Sequence, residues 1–503
     1  MINIIKETGE KVKSDFLISQ MQGYNLTKAL IQQELTGIFN TETLKDMNHI
    51  LEMYKVYMEG ADFLPDTNND YIPAKWSSKT IKTLVDKEAR FMFSIPPDVT
   101  FSDKGESSKS GDKVLASEAL VIEVFKNSKF NSKLVKAAKD CLIGKRIAIA
   151  TNYNKDGITT TFIPSMEFVY ETDPQNVDKI TKFIQFYNTV VNTDKDQQRI
   201  YKKKWWMAED GFCHVVEEVY NGYAVLIDTL LEEVKTPLTW MPVEVIVNDG
   251  LSGDPFGVSE IDSLEDNESW YSKLSSKDMD AIRKGADQIV YAMDVDPRTT
   301  KGLSRGPGAF WDMQSDPNSE DRSGSVGVVN NNMEYSTALE ATLARLKQAM
   351  YNQLDVPDTG RDALQGILTN GKTMKAIYWG LMVRCDEKML DWIPAIENTI
   401  RNIIFGAMLF PDSKAVYDVG EITDEYDLVV ENTYPLLEDE LEEKATDMLE
   451  VNTKVMSRKA YMKKHRALND EEVTQELEQI ALEVQMLEQD NFNNMFNTGG
   501  GAE

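Results

Sequence analysis

The residues with the clearest chemical pattern are Gly366-Ile-Leu-Thr-Asn-Gly371-Lys372-Thr373, which match G-x-x-x-x-G-K-[ST] letter for letter. In that pattern backbone amides and a helix N-terminus cradle phosphates, while the Lys and Thr reach the terminal phosphate and Mg²⁺. Such a match arises by chance in roughly a few per cent of chains this long at average Gly usage. It therefore needs an apolar strand before it and alternating parallel strands and helices around it. The preceding Asp355-Val-Pro-Asp-Thr-Gly-Arg-Asp is no apolar strand, and residues 427–431, Asp-Leu-Val-Val-Glu, have the wrong polarity for a magnesium-binding strand. A flexible loop entering a helix accounts for the motif better, with a P-loop nucleotide-binding enzyme kept as the alternative.

Two other groupings invite chemistry. Cys213-His214 lies in a strand-like stretch, where neighbouring side chains point to opposite faces, so the pair cannot chelate one ion unaided. Lys202-Lys203-Lys204-Trp205-Trp206 mixes basic and aromatic residues, as a nucleic-acid patch would. A half-buried strand with a solvated lysine edge explains it more simply. G-x-S-x-G, H-E-x-x-H and paired C-x-x-C are missing, and with 83 carboxylates their spacings carry no information. The expectation is a chain without catalytic residues, metal site or cofactor.

A chain of 503 residues is long enough for two to four domains. Three dispersed cysteines, Cys141, Cys213 and Cys385, argue against a disulfide framework and suit a reducing compartment. No apolar run reaches the ~18 residues of a membrane span, and the first residues lack a signal-peptide pattern. The formal charge is −29, and residues 411–503 hold 23 acidic and 8 basic side chains, so −15 of it lies there. A protein that grips DNA would carry the opposite sign. The acidity fits either a well-solvated scaffold or a surface that DNA slides past.

The elements that must position these residues follow from periodicity. Residues 1–145 read mostly as helix, with Leu44, Met47, Ile50, Leu51, Tyr54 and Met58 on one face and a helix capped at Ser77 or Ser78 ending near Phe93. A polar loop, 102–112, precedes helices over about 113–125 and 131–142. Residues 146–248 switch to strands punctuated by Asp156-Gly157, Asp210-Gly211 and Asn221-Gly222, with a meander over 180–187, 198–207, 211–220 and 223–227. A long helix is then predicted over 258–292 from Ile261, Leu264, Tyr271, Leu274, Ile282, Ala286 and Ile289, with one slip to eight residues. Residues 294–333 dissolve into Gly, Pro, Ser, Asn and Asp around Phe310-Trp311. Helices return over 337–354 and 372–409, the latter roughly 57 Å long and expected to kink at Pro394. A strand at 425–431 and acidic helices over 438–451, 457–467 and 470–489 complete the α+β pattern. The tail from Asn491 to Glu503 is expected to be disordered.

Several stretches resemble portal proteins of long-tailed double-stranded DNA bacteriophages of Gram-positive hosts. Ile163-Pro164-Ser165-Met166-Glu167-Phe168-Val169-Tyr170 is similar to a strand pair entered through proline, and Met241-Pro242-Val243-Glu244-Val245-Ile246-Val247-Asn248 to the strand before the first stem helix. Thr373 to Leu390 resembles the start of the family's kinked helix. Val455-Met456-Ser457-Arg458-Lys459-Ala460 resembles a late helix-opening turn, although Arg458-Lys459 departs from its charge order. The resemblance spans about residues 40–490 and consists of segment order plus local matches.

The resemblance implies a portal-type ring subunit with an α/β wing, long-helix stem, small clip, kinked tunnel helix and helical crown. The wing would be 1–256, the first stem helix 257–293, the clip 294–333 and the second stem helix 334–354. The tunnel loop would be 355–371, the kinked helix 372–410, a strand returning to the wing 411–436, the crown 437–490 and a disordered tail 491–503. Asp358, Thr359, Gly360, Arg361, Gln365, Thr369, Asn370 and Lys372 would face DNA in the channel, with Arg361 and Lys372 the phosphate contacts. Arg298, Lys301, Arg305, Phe310, Trp311 and Arg322 would carry the clip's partner contacts. The implied assembly is a homo-oligomer, a dodecamer by the family's habit, conducting double-stranded DNA during packaging, retention and ejection. Its implied partners are terminase, a head-completion or adaptor protein, and the major capsid and scaffolding proteins, with no membrane. Its implied place is the portal vertex of the virion, after synthesis in the host cytoplasm.

Overall fold

The computed structural model describes residues 34–60, 73–103, 111–190, 196–286, 289–296, 314–315, 324–329, 335–358, 371–436, 440–466 and 473–482. They divide into two units: residues 1–358 with 378–435, and residues 359–377 with 436–503.

In the first unit α1 (Gly37–Glu59), α2 (Thr80–Phe93), α3 (Gly111–Ser128) and α4 (Phe130–Gly144) precede the strands. Helix α1 buries Met47 and Ile50 of the expected face, but its buried stripe continues through Met53, Val56 and Tyr57, while Leu44, Leu51, Tyr54 and Met58 are only half-buried. β1 (Asp98–Asp103) replaces the start of the expected polar loop and pairs antiparallel with β12 (Tyr426–Glu431).

Two antiparallel sheets follow. β2 (Arg146–Asn154) lies between β3 (Gly157–Pro164) and β9 (Val243–Val247). β4 (Phe168–Asp173), β5 (Asn176–Val190), β6 (Arg199–Met207), β7 (Cys213–Tyr220) and β8 (Leu226–Lys235) form the five-stranded meander in chain order. Ala148, Ala150 and Val243 of the small sheet pack with Phe168, Phe183, Trp205 and Val215 of the meander, so the core lies between the sheets. Val169, Ile184 and Phe186 face the other way and are covered by Leu35 and Met47. The expected turn at 221–222 is longer than two residues. Asn221 Oδ1 accepts from the amides of Tyr223 and Val225, and Ala224, not Gly222, takes the positive φ, which delays β8.

α5 (Glu260–Ala286) is shorter than the helix expected over 258–292. Residues 289–293, Ile-Val-Tyr-Ala-Met, are β10, paired antiparallel with β11 (Ser325–Val329). The run is β-branched and aromatic, and it gains a partner strand from the far end of the polar insert, which a helix could not use. α6 (Ser336–Gln353) matches the second expected helix, although its cap position is Tyr335 with no side-chain hydrogen bond. α8 (Trp379–Leu409) carries Pro394 in its interior on an exposed position, and the one-turn α9 (Pro411–Lys414) follows it. α8 does not join the helix before it, because Tyr378 breaks the run with φ −90° and ψ 4°.

The second unit contains α7 (Gly371–Ile377), α10 (Glu440–Asn452), α11 (Arg458–Arg466) and helical residues 473–482. Asp447 of α10 pairs with Lys464 and His465 of α11 at 2.9 and 2.6 Å. Residues 491–503 lie outside the described residues.

Candidate functional site

The helix–insert–helix segment is anchored at both ends. α5 and α6 pack together, and Asn267 near the start of α5 donates to Gln353 Oε1 at the end of α6 at 3.1 Å, so the two run antiparallel. At the far end β10 and β11 close the insert's base. The Asp296 amide continues this by donating to the Gln314 carbonyl at 2.9 Å, beside the bridge between Val295 and Ser315. The six clip residues, Arg298, Lys301, Arg305, Phe310, Trp311 and Arg322, lie between these anchors and outside the described residues.

The beginning of α5 sits in a buried ionic node. Arg384 and Lys388, one turn apart on α8, face Glu88 of α2 and Glu260, the first residue of α5. Arg384 Nε lies 3.1 Å from Glu88 Oε1, and Arg384 and Lys388 each pair directly with Glu260. Asn248, just past β9, bridges them by accepting from Lys388 at 2.9 Å and donating to Glu260 Oε1 at 3.1 Å. Two cations thus balance two carboxylates, the condition under which buried charge is tolerated. Burial and the neighbouring Glu260 charge push Glu88 up, against the pull of Lys388 and Arg384. Glu260, with the closest cation contacts, stays low although burial opposes it.

The rest of α5 is held differently. Residues 74–78 run along it ahead of α2, and their backbone amides donate to side chains spaced four apart on the helix. Ala74 N reaches Asp280 Oδ1 at 2.9 Å, Trp76 N reaches Ser276 Oγ at 2.9 Å, and Ser78 N reaches Ser272 Oγ at 3.3 Å. Ile81 N, in the first turn of α2, reaches Glu268 Oε2 at 2.7 Å. The match is metric: four helical residues rise about 6 Å, and two extended residues about 6.6 Å. Glu268 caps α2 together with Ser78, one of the two expected caps, whose Oγ accepts from the Thr80 amide at 3.4 Å. Burial raises the Glu268 carboxyl, while the amides of Ile81, Lys79 and Thr80 act against the rise. The buried stripe is therefore polar, and Ile282, expected on the apolar face, is exposed. The eight-residue slip between Leu274 and Ile282 was the sequence signal for this change of face.

Of the residues expected to face a channel, only Asp358 is described with its side chain. It accepts from Lys347 of α6 at 2.9 Å, which ties the start of the expected loop to the helix before it. Thr359, Gly360, Arg361, Gln365, Thr369 and Asn370 lie outside the described residues, as does the side chain of Lys372. Gly371 and Lys372 open the seven-residue α7. Every strand pairing among the described residues is antiparallel, unlike the parallel sheet that presents a phosphate loop.

The other groupings also have structural partners. Lys202 and Lys204 converge on Glu34 at 2.7 and 2.6 Å, and Lys203 pairs with Glu217 at 2.7 Å. The lysines face carboxylates across and beside their own sheet. Cys213 is buried in the core, whereas His214 on the opposite face meets Glu233 at 3.0 Å. An open cavity of about 690 Å³ lies between β9 and α8, lined by Trp240, Met241, Glu244, Asn398, Arg401 and Phe405 among others. Burial pushes Glu244 up to about 7, while Asn398 and Asn402 hydrogen-bond its carboxyl at 3.3 and 3.4 Å.

No helix among the described residues is long and apolar enough to cross a membrane. The described residues thus combine an antiparallel helix pair, an ionic node joining it to a second long helix, and two packed antiparallel sheets. Residues 36–490 match the family model described as phage portal protein, SPP1 Gp6-like, and the chain belongs to that family. It is a phage portal subunit, a virion component of the head-to-tail connector that serves DNA packaging. A comparison with curated proteins finds no match.

Proposed function

We propose that the subunit forms a dodecameric ring at the portal vertex, with α5 and α6 as its stem and residues 294–333 as the clip. Residues 355–371 form the tunnel loop around DNA, α8 the helix behind it, and residues 437–490 the crown. The clip docks terminase during packaging and then a head-completion protein, while the wing faces capsid and scaffolding proteins. The observation that carries this reading is the family match across 36–490 together with an insert closed at its base by β10 and β11.

Small polar loop residues such as Thr359, Gly360, Gln365, Thr369 and Asn370 suit weak contact with a moving backbone. Arg361 and Lys372 supply the phosphate contacts, and the acidity elsewhere limits sticking. Deleting 359–370 tests the assignment: rings should form normally while genome filling or retention fails. A deletion that blocks ring formation would overturn the loop assignment. Purified chain should show no ATP binding, and ATP binding lost in Lys372→Ala would restore the nucleotide reading.

A further inference from the structure

β8 is the last strand of the five-stranded sheet, and each of its residues except Leu231 is exposed. The opposite edge, β4, is buried along nearly its whole length. An edge strand presents a row of unpaired N–H and C=O groups, which proteins usually blunt with short length, proline or lysine. β8 is ten residues long, contains no proline, and has its one lysine, Lys235, at the end and paired with Asp210 at 2.9 Å. Leu226, Ile227 and Val234 are exposed, and Leu230 is 56% exposed; Tyr223 and Val225 extend the apolar stretch into the turn. Interspersed with them stand Asp228, Glu232 and Glu233.

We propose that β8 is a docking edge for an extended segment of a different polypeptide, one in which basic residues alternate with apolar ones. Backbone pairing would supply the affinity and the side-chain alternation the specificity, as in strand addition generally. Charge selects the occupant. The strand carries three carboxylates against one lysine, so a basic segment is complemented and an acidic one repelled. A second copy of this chain fits poorly. In the antiparallel register that overlaps both β8 strands fully, Asp228 lies opposite Glu233 at both ends, and like charges directly opposite are unfavourable. Such pairing is also two-fold and closes a pair of subunits instead of a ring. The β7–β8 pairing has register shifts between Val215 and Glu217, Glu217 and Glu218, and Val219 and Tyr220. These bend the edge, so the segment that fits is short.

The choice of sample, but not the edge itself, rests on the portal reading. Full-length chain carrying photoreactive p-benzoylphenylalanine at Thr229 or at Glu232 is expressed in cells that assemble heads, irradiated, and the cross-linked peptide sequenced. The expected product joins β8 to a peptide of another protein with at least two basic residues among apolar ones. Amides 226–235 should exchange hydrogen at least ten-fold more slowly in heads than in isolated chain. The double variant Asp228→Lys, Glu232→Lys should lower the cross-link yield from Thr229 about ten-fold. A cross-link between two copies of this chain, a peptide without basic residues, or unchanged exchange overturns the proposal. Negative-stain images of the same wild-type protein separate the two failures. Absent rings sink the portal reading while the cross-link still decides the docking, and rings with an unprotected edge sink the docking alone.

Discussion

The two ends of α5 are fixed by opposite strategies. At Glu260 the helix is held by charge, with four ionisable groups and Asn248 in one buried node, whereas from Glu268 to Asp280 it is held by a ladder of side chains on backbone amides. A charge node is nearly all-or-none, because removing one member leaves its partner charged and buried. A ladder divides the same task into steps that fail one at a time. The first fixes α5 against α8, and the second fixes it along the extended chain that leads into α2. For a subunit proposed to carry DNA past one end and partners at the other, this gives a rigid joint at one place and a graded one beside it.

The contrast breaks most sharply at Lys388. Lys388→Met should destabilise the first unit by about 3–5 kcal/mol, read by denaturant titration. Pairing it with Glu260→Gln should cost less than the sum of the two single changes. Additive costs would show that the node does not act as a unit.

Glu268→Ala should cost about 1–3 kcal/mol, since it orphans amides at the start of α2. Hydrogen exchange at residues 79–81 should accelerate while the node stays protected. Ser276→Ala should cost about 1 kcal/mol and speed exchange at Trp76 first, the behaviour of a ladder. Simultaneous release of residues 74 to 81 would instead show one cooperative lock. The smallest effect is expected at Lys347→Ala, because the Lys347–Asp358 pair is about half exposed on both sides and worth at most ~1 kcal/mol.

Glu244 sharpens the comparison through pH. Its carboxyl lies at about 7 in the folded chain against 4.5 for the free group, so the folded state binds the extra proton. Stability from this group is therefore full below about 4.5 and lost as pH rises through about 7. Glu244→Gln should lessen the fall of thermal stability across that window without abolishing it, because burial also raises Glu88 and Glu167 to about 7, and an unchanged pH slope would remove Glu244 as a contributor.

Much of this architecture was legible because apolar period follows burial. The Met47 and Ile50 positions of α1, the apolar stripe of α8, the hairpin region and the strand at 426–431 announce themselves in that way. β1 did not, since six residues beginning and ending in Asp become a strand only through β12, more than 300 positions away. The end of α5 was misread for a related reason: Ile289 fits a helical stripe as well as a strand, and only β11 decides between them. The node and the ladder were hidden more deeply. Glu88, Glu260, Arg384 and Lys388 look like ordinary surface charges, and their burial depends on three helices meeting. Ser272 and Ser276 look like solvent-facing positions until an extended chain lies across them. The channel and clip residues rest on family resemblance, and among those described only Asp358 adds a contact of its own.

The most direct measurement is imaging of the purified full-length chain by negative stain, with sedimentation on the same sample. The account predicts annular particles of many subunits with an open central channel. A chain that sediments as a stable monomer at every concentration and buffer tried, with no annular particles, would contradict it.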